Sequence, residues 1–224
     1  MPDSTISERL YDIYARLLAS YGPQPTWWRH ESRWEIMVGA ILTQNTNWRN
    51  VRTALDNLKK ANRLTPQGIR EIRSSTLTKL IRSAGFTTSK PKRLKILANY
   101  VWNKYGGDPA NLRGGDMATR RAELLALHGI GPETADAILL YAADQPTFVV
   151  DAYTRRILSR IGLVLPTITY DELQSLFMDN VKHDVPFFKE YHALLDTHAK
   201  EICTKRAPRC NVCPLNEICL KLYI

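Results

Sequence analysis

Apolar residues recur along most of this chain at the three- and four-residue spacings of helices that bury one face. Leu10, Ile13, Leu17, Leu18 and Tyr21 form the first stripe, and Pro23 and Pro25 stop it. Trp34 to Asn45 reads as a buried helix, and Val51, Leu55 and Leu58 mark the next. Leu77, Leu80 and Ile81 predict a short helix closed by Gly85. Leu94, Leu97, Tyr100 and Val101 line another, ended by Gly106 and Gly107. Leu124, Leu125 and Leu127 lead into Gly129-Ile130-Gly131. Pro132 then suits a first helical turn, with Ala135, Ile138, Leu139 and Ala142 inward. Asp151 is placed to cap a helix carrying Ile157, Leu158 and Ile161. Leu173, Leu176 and Phe177 mark one more helix, and Tyr191, Leu194, Leu195 and Ile202 the last long one. The strand-like run Thr147-Phe148-Val149-Val150 is too short to found a sheet. The pattern predicts an all-α fold.

Composition adds a partner class. The 224 residues suffice for one large or two small domains, and 44% hydrophobic with 24% charged residues argues against wholesale disorder. Lys and Arg outnumber Asp and Glu by 31 to 22, a net charge of +9. That excess suits nucleic acid, although a merely basic surface would show the same number. Met1-Pro-Asp-Ser-Thr-Ile-Ser-Glu lacks the basic and apolar regions of a secretory signal, and no apolar run approaches a membrane span. The expectation is a soluble, cytoplasmic, monomeric protein in a reducing compartment.

All four cysteines fall in one tail, Cys203-x6-Cys210-x2-Cys213-x5-Cys219. A disulfide pair is disfavoured in a reducing compartment. Four thiolates can hold zinc tetrahedrally or a cubane [4Fe–4S] cluster, and spacing alone does not separate the two. The segment Leu127-His128-Gly129-Ile130-Gly131-Pro132-Glu133-Thr134-Ala135 joins two amphipathic helices by a tight turn. Its glycines allow close backbone approach, and the exposed N–H groups beside a helix start can receive phosphate. A bare Gly-x-Gly is by itself only a turn. Asp151, in Val149-Val150-Asp151, follows Gly131 by 20 residues.

Together these features resemble the endonuclease III-like superfamily of helix-hairpin-helix DNA glycosylases, over about Trp27 to Cys219. The resemblance implies two helical domains: a six-helix domain over 30–145 with the hairpin, and a cluster domain from 1–29 and 146–224. DNA would enter between them. It implies a [4Fe–4S] cluster on Cys203, Cys210, Cys213 and Cys219, with basic residues Lys205, Arg206 and Arg209 in its first loop. It implies base excision repair on double-stranded DNA containing a damaged base. A flipped nucleotide loses its base, and Asp151 is the carboxylate that stabilises positive charge on the sugar. Gly129 and Gly131 would grip a phosphate and Gln44 would fill the gap left by the flipped base. Lys90, Lys92 and Arg93 look like phosphate contacts, with a solvated face as the plain alternative.

Members that also cut the strand carry a lysine two positions after the second hairpin glycine, and here that position is Glu133. No lysine lies between Lys104 and Lys182, so a monofunctional glycosylase is expected. Trp27-Trp28, then Gly39-Ala40-Ile41-Leu42-Thr43-Gln44-Asn45-Thr46, then Trp48 is similar to the 3-methyladenine branch. That likeness implies a base pocket of Trp27, Trp28 and Trp48, in which electron-rich indoles attract a cationic alkylpurine by ~0.5–2 kcal/mol. Described members of that branch can lack the cysteine cluster, and this chain departs from them in having all four ligands. The alternatives are a mismatch uracil or thymine glycosylase, an oxidised-pyrimidine glycosylase disfavoured by Glu133, and a non-catalytic DNA-binding iron–sulfur protein. An adenine-mismatch glycosylase is disfavoured because the chain runs only five residues past Cys219.

Overall fold

A computed structural model describes residues 5–25 and 32–224. Eleven α-helices and no strand occur among the described residues. They are α1 (Ile6–Tyr21), α2 (Arg33–Leu42), α3 (Trp48–Lys60), α4 (Pro66–Glu71), α5 (Ser74–Leu80), α6 (Ser89–Tyr105), α7 (Met117–Leu125), α8 (Pro132–Ala137), α9 (Ala152–Ile161), α10 (Tyr170–Met178) and α11 (Val185–Glu201). No helix among the described residues is long and apolar enough to cross a membrane. The chain divides into two compact units, His30–Gln145 and Met1–Arg29 with Pro146–Ile224.

The His30–Gln145 unit is built on α2. Every residue from Trp34 to Leu42 is buried, because neighbours pack on several sides of this helix. It contacts α3, α6, α8 and the helical turn Ile138–Ala142, which continues α8 with π geometry. In that turn the Ala143 N–H reaches both Ile138 O (3.1 Å) and Leu139 O (3.2 Å). Among its described residues the unit holds seven α-helices where six were expected. The addition, α4, is only six residues long. Periodicity cannot register so short a piece, although Thr65 before Pro66 is a start signal, and the Thr65 hydroxyl does accept the Gly68 N–H.

In the other unit α1 lies on α11, with Leu10, Ile13 and Leu17 fully buried and the Tyr191 hydroxyl donating to Leu10 O (2.8 Å). A capping box closes the start of α1. The Thr5 N–H donates to the Glu8 carboxylate (2.7 Å), and Thr5 Oγ1 accepts the Glu8 N–H. The run Thr147–Val150 is buried and takes no regular secondary structure. Side chains meet the backbone of Phe148: Gln174 Nε2 donates to Phe148 O (2.8 Å), and the Phe148 N–H meets Met178 Sδ (3.3 Å). Phe148 stacks on Phe177 at 3.9 Å, so this segment anchors the residue that follows it, Asp151, against a rigid aromatic core.

Candidate functional site

The hairpin between α7 and α8 is held from three sides within its unit. Gly129 sits at φ +87°, and a Cβ there would lie 2.4 Å from Arg93 Nε, so no side chain fits. Gly131 is different. Its φ is ordinary at −94° and a Cβ would meet nothing, so its bareness leaves the first turn of α8 open to solvent. Arg121 and the fully buried Asp136 form a bidentate pair (2.8 and 3.1 Å) that ties α7 to α8.

The third support is Gln44. Its amide nitrogen donates to Gly129 O (3.1 Å) and Thr134 Oγ1 (2.9 Å), and its Oε1 accepts from Arg93 Nη1. In this structure the amide clamps the hairpin. Arg93 joins it, with its shaft over Gly129 and Nη1 on Gln44. The expectation of a phosphate contact is corrected at Lys90. This lysine is fully buried, and its ammonium donates to Leu42 O and Ala84 O at 2.8 Å each. Burial, then the Arg93 charge, pushes it down to about 8. It ties the end of α2 to the turn before α6. Lys92, two residues on, is exposed.

Asp151 caps α9 as expected from the sequence. Oδ1 accepts the Thr154 N–H (2.7 Å) and the Thr154 hydroxyl (2.9 Å), while Oδ2 faces His192 Nε2 at 3.9 Å. The carboxylate keeps 18% of its surface exposed, whereas the histidine keeps 8%. One oxygen is thus fixed by the helix start and the other faces the histidine. Burial lowers the His192 imidazole, partly offset by Asp151 and Asp196, so the ring facing Asp151 is neutral. Sequence reasoning passed over His192; the available signal was a histidine inside the apolar run Tyr191 to Leu195.

The four cysteines line one apolar pocket together with Ile157, Ile161 and Leu215. Donors surround the sulfurs. Arg160 Nη1 lies 3.3 Å from Cys203 Sγ, the Leu215 N–H 3.4 Å from Cys213 Sγ, and the Lys221 N–H 3.4 Å from Cys219 Sγ. Arg160 is buried and also donates to the carbonyls of Thr204 and Lys205, holding the loop that follows Cys203. His198, at 1% exposure, reaches Cys213 Sγ at 3.7 Å and the Tyr21 hydroxyl at 2.8 Å. Burial pushes the thiols of Cys213 and Cys219 up. No three His, Cys, Asp or Glu side chains among the described residues are arranged to hold a single metal ion.

The remaining expected residues are scattered in character. Trp48 opens α3 half-buried, while Trp27 and Trp28 lie outside the described residues. Glu133 is exposed on the first turn of α8. Lys205 and Arg206 are exposed; Arg209 is exposed but donates from Nε (3.1 Å) and Nη2 (2.5 Å) to Glu201 O, capping the end of α11.

Residues 38–183 match the family described as HhH-GPD superfamily base excision DNA repair protein. A protein of Methanocaldococcus jannaschii described as a candidate DNA repair glycosylase is 46% identical over 95% of this chain and 96% of its own length. The thymine-DNA glycosylase of Aeropyrum pernix is 30% identical over 89% of this chain and 88% of its own. The crystal structure of H. pylori 3-methyladenine DNA glycosylase bound to 1,N6-ethenoadenine superposes with a TM-score of 0.75 at 28% identity, covering 88% of this chain and 98% of that one. With a matched span of well over half its length, this chain belongs to the HhH-GPD superfamily of base excision DNA repair proteins.

Proposed function

We propose that this DNA glycosylase hydrolyses the N-glycosidic bond of an alkylated purine such as 3-methyladenine, flipped from duplex DNA, and leaves the strand uncut. The observation that carries the chemistry is Asp151. Thr154 and the α9 start hold one of its oxygens, and a neutral His192 faces the other. A carboxylate so fixed needs no reorganisation as positive charge develops on the sugar, which is when its attraction is worth most. It also accepts a proton from the attacking water. An N3-alkylated adenine carries its own positive charge and leaves without acid help, and the indole of Trp48 suits that cation. The open first turn of α8 at Gly131, with Lys92, Lys205 and Arg206, supplies phosphate contacts.

Glu133 supports the absence of strand cutting. A carboxylate cannot form an imine with the sugar, and the nearest lysines in sequence are Lys104 and Lys182. Borohydride trapping on damaged or abasic duplex should give no covalent protein–DNA adduct; a strong adduct would refute monofunctional hydrolysis.

The cysteine centre is read as the site of a [4Fe–4S] cluster. Support comes from the pocket the four cysteines share and the N–H donors aimed at sulfur. When bound, the cluster supplies cross-linking of four sulfurs rather than reactivity, and the chain's own Arg160 and Arg156 set the loop around it. Arg156 donates to Cys203 O and Ala199 O at 2.9 Å each.

One observation favours a second reading, excision of mismatched thymine or uracil: the 30% identity to a thymine-DNA glycosylase across most of both chains. Incubation with duplexes bearing 3-methyladenine, 7-methylguanine, hypoxanthine, thymine glycol, or uracil or thymine opposite guanine separates the two. Chromatography of the released bases should show 3-methyladenine foremost. Release of thymine and uracil alone would replace the alkylation reading.

A further inference from the structure

We propose that His198 donates its Nε2–H to the Cys213 thiolate and that Tyr21 locks it in that tautomer, so that the pair tunes the electronic state of the group the cysteines hold. This rests on reading those cysteines as cluster ligands.

The geometry is a chain of three side chains in one unit. Tyr21 ends α1, His198 lies in the last turn of α11, and Cys213 follows the 3₁₀ turn Cys210–Val212. The tyrosine oxygen is 2.8 Å from Nδ1, and Cys213 Sγ is 3.7 Å from Nε2. A neutral imidazole carries one proton. If Nδ1 held it, Nε2 would turn a lone pair toward a thiolate, two electron-rich atoms facing each other beside a buried ring. If the tyrosine donates to Nδ1, Nε2 carries the proton and the contact becomes an N–H···S bond. Only the second arrangement satisfies all three groups.

The other donors to sulfur are the backbone N–H groups of Leu215 and Lys221 and the fixed fork of Arg160. None of these can change its direction. His198 alone has a donor whose presence depends on a distant side chain, 177 residues away in sequence. Hydrogen bonds to cluster sulfurs draw off negative charge and favour the reduced state. Tyr21 therefore sets, through His198, how readily the cluster is oxidised and how long it survives air.

The test uses holoprotein isolated with its iron. Iron and sulfide are assayed, the midpoint potential is measured, and loss of cluster absorbance in air is timed. Tyr21→Phe removes one hydroxyl and keeps the ring. His198→Gln keeps an N–H donor, and His198→Phe has none. At a fixed potential, His198→Phe should shift the reduced-to-oxidised ratio toward the oxidised form by roughly three- to tenfold, tenfold being about 59 mV for one electron. His198→Gln should recover most of that shift. Tyr21→Phe should move it the same way by a smaller factor, with little change in melting temperature. If His198→Phe loses its iron, Tyr21→Phe decides. Iron-replete variants whose potential and air survival match the wild type overturn this inference and leave the cluster reading standing. Wild-type protein without iron and sulfide overturns both.

Discussion

Lys90 and Lys92 stand two residues apart on α6 and do opposite work. Lys90 holds two main-chain carbonyls in the core, and Lys92 is exposed. Lys90→Met should cost about 1–3 kcal/mol of stability in denaturant unfolding, because two buried carbonyls lose their donor. Its effect on the salt dependence of DNA binding should be nil. Lys92→Ala should leave stability alone and lower the slope of log affinity against log salt by about one unit. A residue-type reading of Ser89-Lys90-Pro91-Lys92-Arg93 treats the three cations alike, yet the periodicity already separated them. Lys90 falls on the stripe of Leu94, Leu97 and Val101, and Lys92 falls off it. Asp151 was legible for the opposite reason. A cap needs only the local chain, and its structure is the cap that the sequence describes. His192 showed only as a histidine within an apolar run, because its contact from α11 to the start of α9 is a property of packing.

Among the elements, α6 and α7 are tied by one polar cluster. Glu123 on α7 accepts from the hydroxyls of Tyr100 (2.9 Å) and Tyr105 (3.1 Å) and pairs with Lys104. Burial alone would raise its carboxyl, but the hydrogen bonds from Lys104, Tyr100 and Tyr105 together hold it down to about 2. The unfolded chain binds this proton first, near pH 4.5. The stabilisation is thus complete above about pH 4.5 and is lost as pH falls toward 2. Thermal melts from pH 7 to 2.5 should show Glu123→Gln less stable than wild type by about 1–2 kcal/mol at neutral pH, with the gap closing at the acid end. Helices of ten or more residues announced themselves by period. The irregular elements did not. The segment Thr147–Val150 has strand composition, but no strand occurs among the described residues, and the backbone of Phe148 is met by Gln174 and Met178 instead. The hairpin was visible as two glycines, whereas its clamp of Gln44 and Arg93 is assembled from α2 and α6 ends 49 residues apart.

For the whole molecule, the +9 charge and the cysteine tail carry different parts of the account. The charge predicts affinity for duplex that falls steeply with salt, whatever base is present. The tail predicts a metal-dependent fold. Cys213→Ala should lower bound iron and expose the Lys205-Arg206 loop, seen as faster tryptic cleavage there than in the wild type. The family was legible in the sequence because its markers are short and local: four cysteines, a Gly-x-Gly turn and an aspartate. The substrate was less so, since a pocket is made of side chains brought together from distant positions, and related sequences act on different bases. The proposed chemistry rests on Asp151 stabilising the sugar cation as an alkylated base departs. Its decisive test is single-turnover release of 3-methyladenine from duplex DNA by wild type and Asp151→Asn. The variant should be at least ~100-fold slower with duplex affinity preserved, and equal rates would remove Asp151 from the chemistry.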